Sequence, residues 1–306
     1  MERVFLTMIL GLSLMTSFGQ INLQDSSVQV ISYWNLGDTY NYEVSFQRMK
    51  YTETDTISNE TLSYEVEVSV IDSSEHSYTI QWFYKNFKSD SEDPVEQMIA
   101  SVAQDIKVKI KLDEFGMILA VENWEEVRDY IILSLAEIKA ELNVASEMDN
   151  VFRQIEAMYS SKEAIESASI QDVHQFHTFH GGRYVLNEPV TAQEFTTNLF
   201  DKDKPFDTQV YIGLESLDGE NNECIIRTIQ EIDSEQITET TYQYMKKMLL
   251  GFEKEFPKRE EFPTITNTTE IVSQIHGSGW VLESIQWKEV FSEGITNMEI
   301  RTIIMK

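Results

Sequence analysis

The chain has 306 residues, with 24 Lys and Arg against 52 Asp and Glu, a formal net charge of −28. A field of that sign repels nucleic acid and anionic headgroups, so nucleic-acid binding is excluded as a role. An apolar content of 42% with 11% aromatic residues is that of a folded chain rather than a disordered one.

The N-terminus reads as an export signal. Arg3 precedes an apolar run, Phe5 to Phe18, that is too short for the ~20 residues a membrane-spanning helix needs. Ser17-Phe18-Gly19 closes it in the manner of a cleavage site, so residues 1–20 are assigned as a signal peptide. The cleavage zone itself holds no cysteine, so no lipoprotein anchor is expected. The one cysteine, Cys224, allows no intrachain disulfide. The expectation is an exported protein, periplasmic or extracellular and not integral to the membrane.

Residues 21–123 read as an N-terminal antiparallel β unit. In Thr39–Met49, Tyr40, Tyr42, Val44 and Phe46 alternate with polar residues. Leu62–Asp72 and Ser77–Phe87 repeat that period of two, the mark of half-buried strands. Asp93–Gln104 fits a short helix, with Asp93 as N-cap and Pro94 at its first position. A hairpin turning at Asp113–Gly116 follows.

Residues 124–182 change period and form a helical connector. Val127, Ile131, Leu135, Ile138 and Leu142 make one apolar stripe, and Val151, Ile155 and Met158 a second. The connector ends in "HQFHTFHGG", which holds three of the five histidines. His174, His177 and His180 are candidate metal ligands, two of them pairing with Asp172 or a distant carboxylate. They lack the His-Glu-x-x-His spacing, so the plainer reading is a helix end with exposed, cation-favouring histidines.

Residues 183–306 return to strands, with a helix at 234–252 carrying Tyr242, Met245, Met248 and Leu249 on one face. The order of strands and helix in this C-terminal unit resembles that in 21–123, a candidate duplication of a βββαββ unit; the alternative is one large sheet with helices inserted. The fold class is therefore α+β: curved antiparallel sheets with a central amphipathic helical segment, the helices covering the concave faces.

Catalytic signals are weak, and no cofactor is expected. Asp201, Asp203 and Asp207 begin like a calcium loop, but Phe206 stands where its glycine belongs. Cys224 shares a strand face with Ile226 and Thr228, the setting of an inert thiol. Trp82, Tyr84, Met245, Met248, Trp280 and Trp287 are the candidate lining of an apolar ligand site.

Five passages, "YWNLGDTYNYE", "LDEFGMILAVENWEEV", "HTFHGGRYVLNEPV", "LDGENNECIIRTIQEIDSEQIT" and "GWVLESIQWKEV", together resemble an uncharacterised family of exported proteins of Bacteroidetes-type bacteria. The likeness covers nearly all of the mature chain and implies neither a catalytic residue nor a metal. A more distant likeness, of architecture only, is to periplasmic lipoprotein carriers, whose curved sheet closes over a helix around an apolar pocket. The function expected is a non-catalytic exported protein binding an apolar ligand, such as a lipid, or an envelope partner. The alternatives are a structural or protein-interaction envelope protein, and a metal-dependent enzyme using the histidine cluster.

Overall fold

The computed structural model describes residues 20–92, 97, 100, 102–142, 149–198, 200, 201, 203–248 and 256–306. The expected signal peptide, the Asp93-Pro94 helix start and the end of the last helix from Leu249 to Phe252 lie outside the described residues.

Eleven strands make one sheet. In chain order they are β3 (Thr39–Thr52), β4 (Thr56–Ser74), β5 (Ser77–Ser89), β6 (Lys107–Asp113), β7 (Ile118–Val121), β9 (Val190–Thr196), β10 (Phe206–Asp218), β11 (Glu223–Ile232), β12 (Ile265–His276), β13 (Val281–Ser292) and β14 (Ile295–Met305). Their order across the sheet is β7-β6-β5-β4-β3-β14-β13-β12-β11-β10-β9, antiparallel throughout. The two β segments are thus not separate sheets: β14 pairs with β3 along its length and joins them at the centre. Each strand meets its chain neighbour, so the sheet is a meander that curves round and stays open between β7 and β9. A small second sheet combines β1 (Ile21–Asn22), β2 (Ser27–Gln29) and β8 (Arg183–Val185).

The alternation read from the sequence produces the two faces. Tyr42, Val44, Val66, Val68, Ile80, Trp82 and Ile110 point inward and are all fully buried. The outer face carries charge pairs such as Lys85–Glu67 at 3.0 Å and Lys306–Glu65 at 2.6 Å. Such exposed pairs add little stability each, ~0–1 kcal/mol, and mainly keep that face wet.

Three helical pieces cover the inner face on the N-terminal side. Helix α1 (Trp124–Leu142) turns Val127, Ile131 and Leu135 into the core. Helix α2 (Asp149–Met158) buries Phe152, while Val151 and Met158 stay exposed, a shift of its apolar stripe by one position. A turn of helix, Lys162–Ala164, runs into a π-turn, Ile165–Ser169. Glu166 in that turn accepts a 2.7 Å hydrogen bond from the Val121 N–H, capping the free edge of β7. Helix α3 (Gln171–His177) then enters the curve of the sheet. Its Gln175 donates to Ser284 Oγ and to the Arg301 carbonyl, and Ser284 sits beside Ser273 on the inner face. These small side chains let the helix approach the strands closely. Helix α4 (Ser234–Met248) packs against β10 and β12. Among the described residues no helix is long and apolar enough to cross a membrane.

Candidate ligand cavity and the two polar ends of α3

Helix α3 carries the polar groups around which the interior is organised. Its face toward the sheet reads Asp172, Val173, Phe176, His177, all buried. Phe176 makes edge contacts with Tyr42 and Trp82, at ring distances of 5.5 and 5.4 Å, and fixes the helix between β3 and β5. Asp172 and His177 then fall at opposite ends of one short helix.

At the N-terminal end, Asp172 accepts hydrogen bonds from Tyr84 at 3.0 Å, Tyr64 at 3.0 Å and the Val173 N–H at 2.9 Å. Burial raises its carboxyl pKa, opposed by the nearby positive charge of Arg301 and by these donors. The same burial, with the Asp172 charge second, pushes both tyrosines well above their ordinary value. At neutral pH both phenols therefore stay protonated and act as fixed donors.

This cluster floors a cavity of about 510 Å³. Its walls come from the sheet (Phe46, Leu62, Phe87, Ile106), from α1 (Val127), from α2 (Ile155, Met158) and from the π-turn (Ile165). Arg48, Glu60 and Arg301 are its charged wall residues besides Asp172. A mostly apolar concavity of this volume with a few convergent polar groups is the usual form of a small-molecule site, ~300–1,000 Å³.

At the C-terminal end, the chain turns tightly after His177. His177 Nδ1 donates to the Gly116 carbonyl at 2.8 Å, and His180 Nε2 to the Gly279 carbonyl at 2.9 Å. Their rings lie 4.8 Å apart, with Trp34 edge-on to both and stacked on Trp280 at 4.3 Å. The histidines expected to be exposed are therefore buried, His174 excepted. Burial depresses both: His177 falls well below its ordinary value, with neighbouring His180 adding to the effect, and His180 falls to about 4. Neutral imidazoles donating from one nitrogen keep a lone pair on the other. Those nitrogens, His177 Nε2 and His180 Nδ1, have no protein partner, nor do Ser32 Oγ and Trp34 Nε1. Gly116 holds a positive φ of 93° against this cluster, where a Cβ would lie 2.7 Å from His180 Cδ2. Among the described residues no three His, Cys, Asp or Glu side chains converge as metal donors.

The other residues singled out from sequence are spread widely. Of the six candidate ligand contacts only Tyr84 lines the cavity. Trp82 is core beside it, at a ring distance of 6.3 Å, and Trp280 belongs to the histidine end. Met245 and Met248 are exposed on α4, and Trp287 is half-buried on β13. Cys224 is buried, its thiol pushed up to about 12, so it is protonated at neutral pH. Asp201, Asp203 and Asp207 lie in and beside a turn, where Asp201 accepts from the Asp203 N–H. The sequence reading missed Arg301 and took Asp172 only as a partner for the histidines. Arg301 shares the inward phase of its strand with Asn297 and Glu299, so no local pattern marks it.

No family model matches the chain, and no curated protein does. Among solved structures it is similar to a porin-like protein from Bacteroides uniformis, 9% identical over 90% of this chain and 98% of that one, with a TM-score of 0.19. It is also similar to an outer membrane channel from Pseudomonas putida, 6% identical over the same shares, with a TM-score of 0.16. Scores of this size carry no argument about fold or role, so the site is read from its own geometry.

Proposed function

We propose that the chain is a non-catalytic exported protein, periplasmic or surface-located, that binds an apolar small molecule in the cavity between the inner sheet face and α1, α2 and the π-turn. The observation that carries this reading is the 510 Å³ cavity itself, walled by Phe46, Leu62, Phe87, Ile155 and Met158. A mostly apolar concavity with a few hydrogen-bonded polar groups on its floor is the form in which small molecules are commonly held. The setting, a curved antiparallel sheet closed over a helix, agrees with the architectural likeness to lipoprotein carriers drawn from the sequence. The polar floor is hydrogen-bonded through Asp172, Tyr64 and Tyr84. Its phenols are locked as donors, which suits orientation of a ligand rather than proton transfer.

Native mass spectrometry of protein exported by its own signal and purified without a histidine tag tests this. A lipid-sized adduct is expected, and it should disappear in Ile155→Trp, which fills the cavity, while the melting temperature holds. If the wild type carries no adduct and dodecanol does not bind it, the reading is wrong.

A second reading, docking of an envelope protein, draws on a different surface. Phe195 on the β9 edge is 76% exposed, and the ring of Phe200 lies tilted against exposed Tyr244 of α4 at 4.5 Å. Phe195→Ser should weaken such docking without touching the adduct.

A further inference from the structure

The inner face of the sheet is graded in charge along the strands. Across the register β13-β14-β3-β4, one row reads Lys288, Glu299, Arg48, Glu60. Signs alternate there, and Arg48 pairs with Glu299 at 3.4 Å. That row neutralises itself. The next row inward reads Gln286, Arg301, Phe46, Leu62. It contains one charge and no acid. The Arg301 guanidinium donates to the neutral Gln286 at 3.2 Å and lies 5.2 Å from the centre of the Phe46 ring. Among the described residues no carboxylate lies within the 4.0 Å of an ion pair with it. The nearby acid, Asp172, has its oxygens taken by Tyr64, Tyr84 and the Val173 N–H.

A guanidinium offers five N–H donors in a fork that matches a carboxylate or phosphate. In a chain of net charge −28 with 52 acids, an arginine left without an acid on an inward-facing row is unusual. Arg301 is also a wall of the apolar cavity, on which Phe87, Ile155 and Met158 lie as well.

We propose that the ligand is a single-chain amphiphile with an anionic head, a carboxylate or a phosphate monoester. Arg301 receives the head, and the apolar walls receive the tail. This rests on the cavity being a ligand site and adds the chemistry of what fills it. Arg301 supplies specificity, and the apolar walls supply most of the affinity.

The test uses the full mature chain, stripped of lipid, in a calorimetric titration with dodecanoate, dodecyl phosphate and dodecanol. An anion should bind about tenfold or more tightly than the alcohol, the size of one charge-assisted hydrogen bond. Which anion wins identifies the head. Arg301→Gln should erase that preference and leave dodecanol binding unchanged, and Arg301→Lys should keep part of it. Circular dichroism confirms that each variant is folded. Dodecanol binding as well as both anions overturns the anionic head but leaves the apolar site standing. Failure of all three to bind overturns both. Should Arg301→Gln not fold, a weakened preference in Arg301→Lys and in wild type at high salt supports the proposal, and an undiminished preference in both overturns it.

Discussion

Asp172 and His177 sit on one helix of seven residues, both buried, yet their surroundings differ in kind. Both Asp172 oxygens are occupied, and the group faces a cavity. The histidine end is sealed by Trp34 and Trp280, and each ring keeps one nitrogen without a protein partner. A buried polar group is tolerated when its partners are complete and is costly when they are not. The completed cluster borders open space with its hydrogen bonds made, while the sealed histidine end carries the cost of two nitrogens that no protein group satisfies. The two ends therefore have different sensitivities: the carboxylate end to loss of the acceptor, the histidine end to gain of protons.

Acid should give the largest difference. A histidine whose folded pKa is depressed below ~6.5 binds fewer protons folded than unfolded. Its stability is complete above pH 6.5 and is lost as pH falls toward the folded value. For His180, at about 4, the loss between pH 7 and 5 comes to roughly 2 kcal/mol. His177 adds a loss of the same sign. Asp172 acts the other way, because its raised folded pKa favours the folded state as it protonates. Urea unfolding at pH 7 and pH 5 measures the sum. An unchanged unfolding free energy would remove the asymmetry between the two ends.

Asp172→Ala attacks the other end. It leaves two tyrosine hydroxyls and a helix N–H without their acceptor, each costing ~1 kcal/mol or more. A loss of about 2–4 kcal/mol is expected, with the acid sensitivity of the histidine end retained. If the variant loses that sensitivity as well, the two clusters are one unit and the contrast fails.

These sensitivities bear on what the sequence disclosed. Strand alternation was plain in Tyr40–Phe46 and Tyr64–Val70, because period two needs only local reading. The stripe Val127, Ile131, Leu135 likewise gave α1. The pairing of β14 with β3 was not readable, since nothing local links residues so far apart, and the sequence therefore left a duplicated unit and one large sheet both open. The histidines were misread because a spacing of three suits a wet helix end. The neighbouring Phe176 and Phe179, both buried, were the clue to an apolar setting. Asp172 was weighed only as a metal partner, and Arg301 was passed over in a strand otherwise typical of a sheet.

The smallest effect sharpens the histidine end further. Gly116 gives up its carbonyl to His177 at a φ that side chains avoid. Gly116→Ala should cost about 1–3 kcal/mol through that backbone and the close His180 ring. Steeper acid unfolding should accompany it if the carbonyl shifts. Thermal melts at pH 7 and 5 show both, and an alanine accepted without loss would mean that the histidine wall is loose.

The seam between β3 and β14 has a consequence for how this molecule comes into being. Ile300 meets Gln47 across about 250 residues of chain. Until that contact forms, β3 and β14 each present a bare edge at the middle of the future sheet. Closing a loop so long adds an entropic barrier and makes for slow folding. The chain emerges from synthesis with its central joint unmade, and a polypeptide delayed in that way remains threadable, as the proposed export would require.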